Sequence, residues 1–176
     1  MIKIGLTGFS GILGKSLSNL ISKKKKYRIY KYRRNILNKK EVLNWIEKNQ
    51  FNIIIHLAAL VPTKKVNKNF SLSKRTNIQG TKNLIDGINK LQKESLYFLF
   101  SSTSHVYNFN LKKNSEGSRI FGISKYGKTK IAAEKYIRSK SNKTDFCIAR
   151  ISSLVSEKQT DDFFLPNIVR KGKSKN

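Results

Sequence analysis

Met1 to Gly14 read MIKIGLTGFSGILG, an apolar strand that runs into a glycine-punctuated turn and then a helix. Ile2, Ile4 and Leu6 supply the strand, and Gly8, Gly11 and Gly14 recur at every third position through the turn. Each glycine has a separate physical task. Gly8 permits a tight turn, Gly11 carries no Cβ to hold the backbone away from a phosphate, and Gly14 lets the helix lie close on the strand. Free N–H groups at the start of that helix face an anion. The arrangement predicts a dinucleotide pyrophosphate held by Gly8, Phe9, Ser10, Gly11 and Ile12.

The rest of the chain alternates helical and strand patterns. Ile12 to Ile21 reads as a helix with Leu13, Leu17, Leu20 and Ile21 on one stripe. Lys23 to Lys26 then complement the carbonyl end of its dipole. Tyr27 to Arg33 alternates with period two and reads as a strand with one polar face. Lys39 to Gln50 is a helix, and Phe51 to Leu60 is a strand and its exit, whose unbroken Ile53 to Ile55 run predicts cover on both faces. Leu57, Ala58 and Ala59 fall at the C-terminal end of that strand, where small side chains leave room for a ligand. His56 beside them reads as a satisfied structural histidine. A long helix from Ser71 to Leu91, turning Leu72 and Ile78 among others inward, precedes a buried strand from Leu96 to Ser101. The order predicts a three-layer α/β fold, Rossmann-like and doubly wound, with a mainly parallel sheet.

In such a fold the end of the second strand meets the adenosine ribose, and an arginine there suits a 2′-phosphate where an acid suits the 2′-hydroxyl. The chain offers Arg33 and Arg34 and no acid. NADP(H) is therefore favoured, with NAD(H) the second candidate. Lys and Arg number 37 against 10 Asp and Glu, a formal charge of +27, which invites nucleic acid or an anionic surface. The lysines are scattered over every segment, as a general compositional bias places them, so no specific nucleic-acid partner is expected. The lone Cys147 excludes an intrachain disulfide, fits a reducing compartment and reads as a buried, inert thiol. No leader, membrane span or metal site is read, and the expected address is the cytoplasm.

Chemistry concentrates in the second half. Ser101, Ser102 and Thr103 stand at the C-terminal end of their strand, and Tyr126 and Lys130 sit four apart in a helical stretch, so they share a face. A lysine ammonium beside a phenol favours the phenolate and predicts a lowered tyrosine pKa, while a hydroxyl from the strand end orients the same substrate oxygen.

These segments in order, TGFSGILG at Thr7 to Gly14, HLAA at His56 to Ala59, NIQGT at Asn77 to Thr81, SSTSHVY at Ser101 to Tyr107 and YGKTK at Tyr126 to Lys130, resemble the NAD-dependent epimerase/dehydratase family of extended short-chain dehydrogenases/reductases. Members mostly act on nucleotide sugars, and the resemblance implies a nucleotide-sugar substrate here. It implies that Thr103 aligns with the catalytic Ser/Thr, Tyr126 with the acid/base, and Lys130 with the lysine that holds the nicotinamide ribose. It further implies pyrophosphate contacts from Gly8, Gly11 and Gly14, a cofactor wall at Ala58 and Ala59, a supporting Asn77, and a homodimer through the long helices.

Departures narrow the expectation. Nucleotide-sugar 4,6-dehydratases resemble one another in carrying Thr-Asp-Glu where this chain has Thr103, Ser104 and His105. A 4-epimerase or 4-keto reductase needs no such acid pair, and both stay open. Asn35 stands where relatives often place an acid toward the adenine. After the strand Asp145 to Arg150, relatives continue into a smaller sugar-nucleotide lobe, whereas this sequence stops at Asn176. Residues 1–176 are thus expected to form one NAD(P)-binding domain with the substrate lobe largely absent, a truncated or minimal member. Two other classes remain open, a catalytically idle dinucleotide-binding fragment or sensor and a basic nucleic-acid-binding protein. Asp161, Asp162, Phe163 and Phe164 are assigned no chemistry, and Lys171 to Asn176 reads as a solvated tail.

Overall fold

The first strand, β1 (Ile2–Thr7), buries Ile4 and Leu6 on one side and sets Gly5 on the other, where a Cβ would fall 2.8 Å from the Trp45 ring. In this computed structural model, which describes residues 1–61, 63–108, 113–141, 144–156, 159, 166 and 168–169, five strands pair in parallel. They are β1, β2 (Tyr27–Lys31), β3 (Ile53–His56), β4 (Leu96–Thr103) and β5 (Thr144–Ile151), in the spatial order β2-β1-β3-β4-β5. The register places Thr7 beside His56, His56 beside Phe100, and Thr103 beside Ile151. The C-terminal strand ends therefore share one edge, the edge at which open parallel sheets bind ligands.

Helices cover both faces. Helix α1 (Ile12–Ser22) packs Leu17 and Ile21 on Ile4, Leu6 and Ile55. On the opposite face lie α2 (Lys39–Asn49), α5 (Gly80–Leu91) and α6 (Lys125–Lys140), whose Val42, Ile46, Leu84, Ile88 and Ile137 close over Ile54, Phe98 and Phe100. Each such side chain contributes about 1.5–3 kcal/mol of burial. Side-chain caps start two of these helices: Asn38 accepts the Glu41 N–H at 3.2 Å and Ser124 accepts the Gly127 N–H at 2.9 Å. Two short helices, α3 (Thr63–Lys68) and α4 (Phe70–Lys74), lead from β3 toward α5. The doubly wound parallel sheet is as the sequence predicts.

Several local features differ. The second strand ends at Lys31 rather than Arg33: the Tyr32 N–H makes the last bond to β1, to Leu6 O at 2.9 Å, and its buried ring and its hydroxyl bond to Asn35 O at 3.1 Å fold the next residues into a turn. That turn leaves Arg33 and Arg34 at the binding edge. The predicted long helix is interrupted by a π-helical turn at Arg75–Gln79, between α4 and α5. Leu20 and Leu72, assigned to apolar stripes, face outward at 62% and 41% exposure. Cys147 is half-buried rather than buried, since β5 is the last strand on its side of the sheet among the described residues. Asp161, Asp162, Phe163, Phe164 and the Lys171 to Asn176 stretch lie outside the described residues. Among the described residues no helix is long and apolar enough to cross a membrane.

Candidate active site

The turn between β1 and α1 depends on two glycines for different steric reasons. Gly8 has φ +70°, and a Cβ on it would lie 2.6 Å from the Ala58 nitrogen and the Leu57 carbonyl carbon. A Cβ on Gly14 would lie 2.3 Å from Gly8 O, so its close contact is with the turn backbone rather than with the strand. Gly11 is different. A Cβ there would meet only Gly8 O, at 3.4 Å, so packing alone does not require a glycine. Gly11 is the N-cap of α1, and no side chain caps the helix and no acid occupies its first turn. The opening N–H groups are left for an outside anion.

A cleft of about 370 Å³ lies beside this turn, lined by Gly8, Phe9, Ser10, Tyr32, Arg33, Arg34, Asn35, Ile36 and Ala58. Gly11 and Ile12 flank it at the start of α1, and Leu57 and Ala59 flank Ala58. The Arg33 guanidinium stands 5.1 Å from the centre of the Phe9 ring, and the Lys31 ammonium stands 5.9 Å from the same ring. Asn35 is occupied in shaping the turn: its side-chain oxygen accepts the Leu37 N–H at 3.0 Å, and its carbonyl accepts the Tyr32 hydroxyl at 3.1 Å. The glycines a Cβ would block, the uncapped helix start and a lining that holds two arginines and no carboxylate fit a dinucleotide carrying phosphates.

Behind the cleft, His56 is enclosed at 1% exposure. Thr81 donates its hydroxyl to Asn77 O at 2.8 Å, so it accepts from His56 Nε2 at 3.0 Å. His56 Nδ1 then accepts the Thr7 hydroxyl at 2.7 Å, and Thr7 Oγ1 takes the Ala58 N–H at 3.2 Å. Burial, with the Lys130 charge adding to it, holds His56 down to about 3. It is a neutral structural histidine that fixes the Ala58 wall.

The second group of residues lies where β4 meets α6. Thr103 ends β4, and its Oγ1 accepts the His105 N–H at 3.2 Å at the start of a 3₁₀ turn, Ser104–Val106. The first turn of α6 rests on that 3₁₀ turn, where a Cβ on Gly127 would lie 2.3 Å from His105 O. The His105 ring meets Tyr126 edge-on at 5.9 Å, and the Lys130 ammonium lies 4.3 Å from the centre of the Phe100 ring. Thr103 and Tyr126 thus flank the same 3₁₀ turn, Lys130 lies one helical turn on from Tyr126 over the Phe100 ring, and none of the three is in the lining of the glycine-turn cleft.

Their ionisation reverses one expectation. Burial pushes the Tyr126 phenol up to about 12 and the Lys130 ammonium down to about 7, with Glu134 opposing the second shift. Burial alone raises the phenol, and no charge from Lys130 offsets it. The phenol therefore carries its proton at neutral pH.

The model of the NAD dependent epimerase/dehydratase family matches residues 4–176. The chain belongs to this family. It is 27% identical over 173 residues to GDP-6-deoxy-D-talose 4-dehydrogenase of Aggregatibacter actinomycetemcomitans, covering 96% of this chain and 58% of that protein. It is 28% identical over 154 residues to dTDP-D-glucose 4,6-dehydratase of Dictyostelium discoideum, covering 78% of this chain and 35% of that one. Among solved structures, dTDP-4-dehydrorhamnose reductase of Bacillus anthracis, in complex with NADP, superposes with a TM-score of 0.86 at 25% identity, covering 98% of this chain and 61% of that chain. The sequence thus spans about three-fifths or less of these relatives.

For a member of the epimerase/dehydratase family the most informative residues that sequence reasoning missed are Glu134 and Arg150. Glu134 is fully buried on α6, accepts the Ser102 hydroxyl and pairs with Arg150 Nη2 at 2.8 Å. Its spacing from Lys130, one helical turn on, was a readable signal, whereas Arg150 is known only from the folded sheet. Among the described residues no group of His, Cys, Asp and Glu could hold a metal ion.

Proposed function

We propose that this chain binds NADP(H) in the glycine-turn cleft and serves oxidoreduction or epimerisation at C4 of a nucleotide sugar, as a 4-keto reductase or 4-epimerase rather than a 4,6-dehydratase. The observation that supports the reading is that Thr103 ends β4, at the C-terminal edge of the sheet, at a 3₁₀ turn on which the first turn of α6, carrying Tyr126 with Lys130 one helical turn on, rests. The glycine turn ends β1 at that same edge. The names of relatives, a 4-dehydrogenase, a 4-dehydrorhamnose reductase and a 4,6-dehydratase among them, support the nucleotide-sugar class without choosing among these types.

A bound nicotinamide supplies the hydride donor or acceptor. The chain's own residues manage the substrate oxygen. Thr103 hydrogen-bonds it and Tyr126 exchanges a proton with it, while Lys130 places a positive charge beside the phenol. As phenolate Tyr126 takes the proton of a substrate hydroxyl while the carbon's hydride leaves, and with its proton on it returns one to a keto oxygen. Ser104 and His105 follow Thr103 where elimination of water would call for carboxylates. Arg33 and Arg34 at the cleft favour the 2′-phosphate of NADP(H). We assign the whole of residues 1–176 to the cofactor-binding domain.

The second reading, an idle dinucleotide-binding fragment or sensor, is favoured by the apolar residues Phe121, Ile123 and Val155, which stand 63%, 51% and 68% exposed in the segments flanking α6 and β5. Turnover decides. NADPH oxidation is followed with dTDP-, GDP- and UDP-linked 4-keto sugars for the wild-type chain and Tyr126→Phe. The proposal expects turnover that falls by about 10²-fold or more in the variant while NADPH binding is kept. Full turnover in Tyr126→Phe overturns the assignment, and tight cofactor binding without any turnover establishes the idle reading.

A further inference from the structure

Glu134 lies four residues beyond Lys130 on α6, and both are withdrawn from water, at 0% and 2% exposure. A carboxylate so placed is retained only with partners. Arg150 on β5 supplies Nη2 at 2.8 Å to Oε2, and its Nε lies 3.2 and 3.3 Å from the two oxygens. Ser102, the residue before Thr103 on β4, donates its hydroxyl to Oε1. Arg150 reaches further, from Nη1 to the Tyr107 hydroxyl and the Glu116 carbonyl, each at 3.0 Å.

The groups facing Lys130 from the other elements carry no negative charge. Phe100 on β4 offers its ring face, His56 on β3 is neutral, and Tyr126 on α6 itself holds its proton. Glu134 is the one carboxylate acting on the ammonium among the described residues. We propose that Glu134 is a positioning residue: clamped by Arg150 and Ser102, its carboxylate is the counter-charge that keeps Lys130 a cation in the apolar pocket beside Phe100. The inference rests on the proposed role of Lys130 beside Tyr126. Arg150 draws on the same carboxylate, so the tightness of the Arg150 clamp sets how much counter-charge reaches Lys130. The Glu134–Arg150 network thereby joins the Ser102–Thr103 strand end to Tyr107, and the lysine's charge is linked to it through Glu134.

The direct test reads the ionisation of Lys130 without cofactor. The NMR shift of the Lys130 Cε group, assigned by its loss in Lys130→Arg and followed between about pH 5 and about pH 10, gives its titration midpoint in the wild-type chain, Glu134→Gln, Glu134→Asp and Arg150→Gln. Circular dichroism confirms that each is folded. Glu134→Gln moves the midpoint down by about one unit or more, the size expected for loss of a close opposite charge. Arg150→Gln moves it up, since Lys130 then has the carboxylate to itself. Glu134→Asp, which keeps the charge, stays nearest to wild type. Both Gln variants lose the same ion pair, so a merely structural role moves them in one direction or not at all. An unchanged midpoint in Glu134→Gln, or a downward shift in Arg150→Gln, overturns the proposal, and if Glu134→Gln does not fold, Arg150→Gln and Glu134→Asp decide it. NADPH titration over the same pH range is the separate check on the functional reading. Its failure in the wild-type chain removes that reading while the Lys130 midpoints still judge Glu134.

Discussion

Asn77 donates from its side-chain amide to Thr129 Oγ1 at 3.0 Å, and its oxygen accepts the Leu60 N–H at 2.7 Å. One side chain in the π-helical turn thus ties the exit of β3 to α6, and Thr129 passes the tie to Tyr126 O at 2.8 Å. A π turn adds one residue to a helix and commonly marks a place where a side chain must be aimed. Asn77→Ala leaves the buried amide partners unpaired, and the expected cost is about 1–3 kcal/mol, read as a lower thermal midpoint. Stability equal to wild type would show that the tie contributes nothing.

The glycines separate folding from binding. Gly8→Ala and Gly14→Ala each place a methyl group within 2.6 Å of backbone atoms, so both are expected to lower stability markedly. Gly11 has φ −70° and an open Cβ direction, so Gly11→Ala keeps stability within about 0.5 kcal/mol while weakening NADPH binding. Undiminished affinity in Gly11→Ala would place the phosphates elsewhere.

What could be read in advance was local. Strand and helix order follows from the period of apolar residues, and the Gly8, Gly11 and Gly14 spacing follows from the short reach of one turn. His56 was correctly read as structural, although its partners Thr7 and Thr81 are 49 and 25 residues away and carry no sequence signal. The ionisation of Tyr126 was misread because it depends on burial beneath His105, which only the packing of α6 creates. The early end of β2 was missed for a similar reason: Tyr32 turns inward to pack on Trp45, at 5.1 Å between rings.

His56 also makes stability depend on pH. Its folded pKa is depressed from 6.5 to about 3, so the unfolded chain takes up a proton that the folded chain refuses. This contribution is fully present above about pH 6.5 and is lost as pH falls, at about 1.4 kcal/mol per unit, until about pH 3. Chemical denaturation of His56→Gln beside wild type should show a shallower acid slope in the variant. Equal slopes would mean that His56 is not the titrating group.

Arg33 and Arg34 stand at the cleft with no carboxylate in its lining. Arg33→Ala/Arg34→Ala should weaken NADPH binding by about tenfold or more, the size of one lost charge-assisted hydrogen bond, and leave NADH binding nearly unchanged. Equal weakening of both cofactors would trace the effect to general charge rather than to the 2′-phosphate.

The most direct measurement of the central claim is a titration of the wild-type chain with NADPH and with NADH, followed by nicotinamide fluorescence at low and at moderate salt. The account predicts saturable binding that prefers NADPH and survives moderate salt, because the uncapped start of α1 and the two arginines hold it at fixed places. Absence of binding by either cofactor, or binding that disappears with screening, would contradict it.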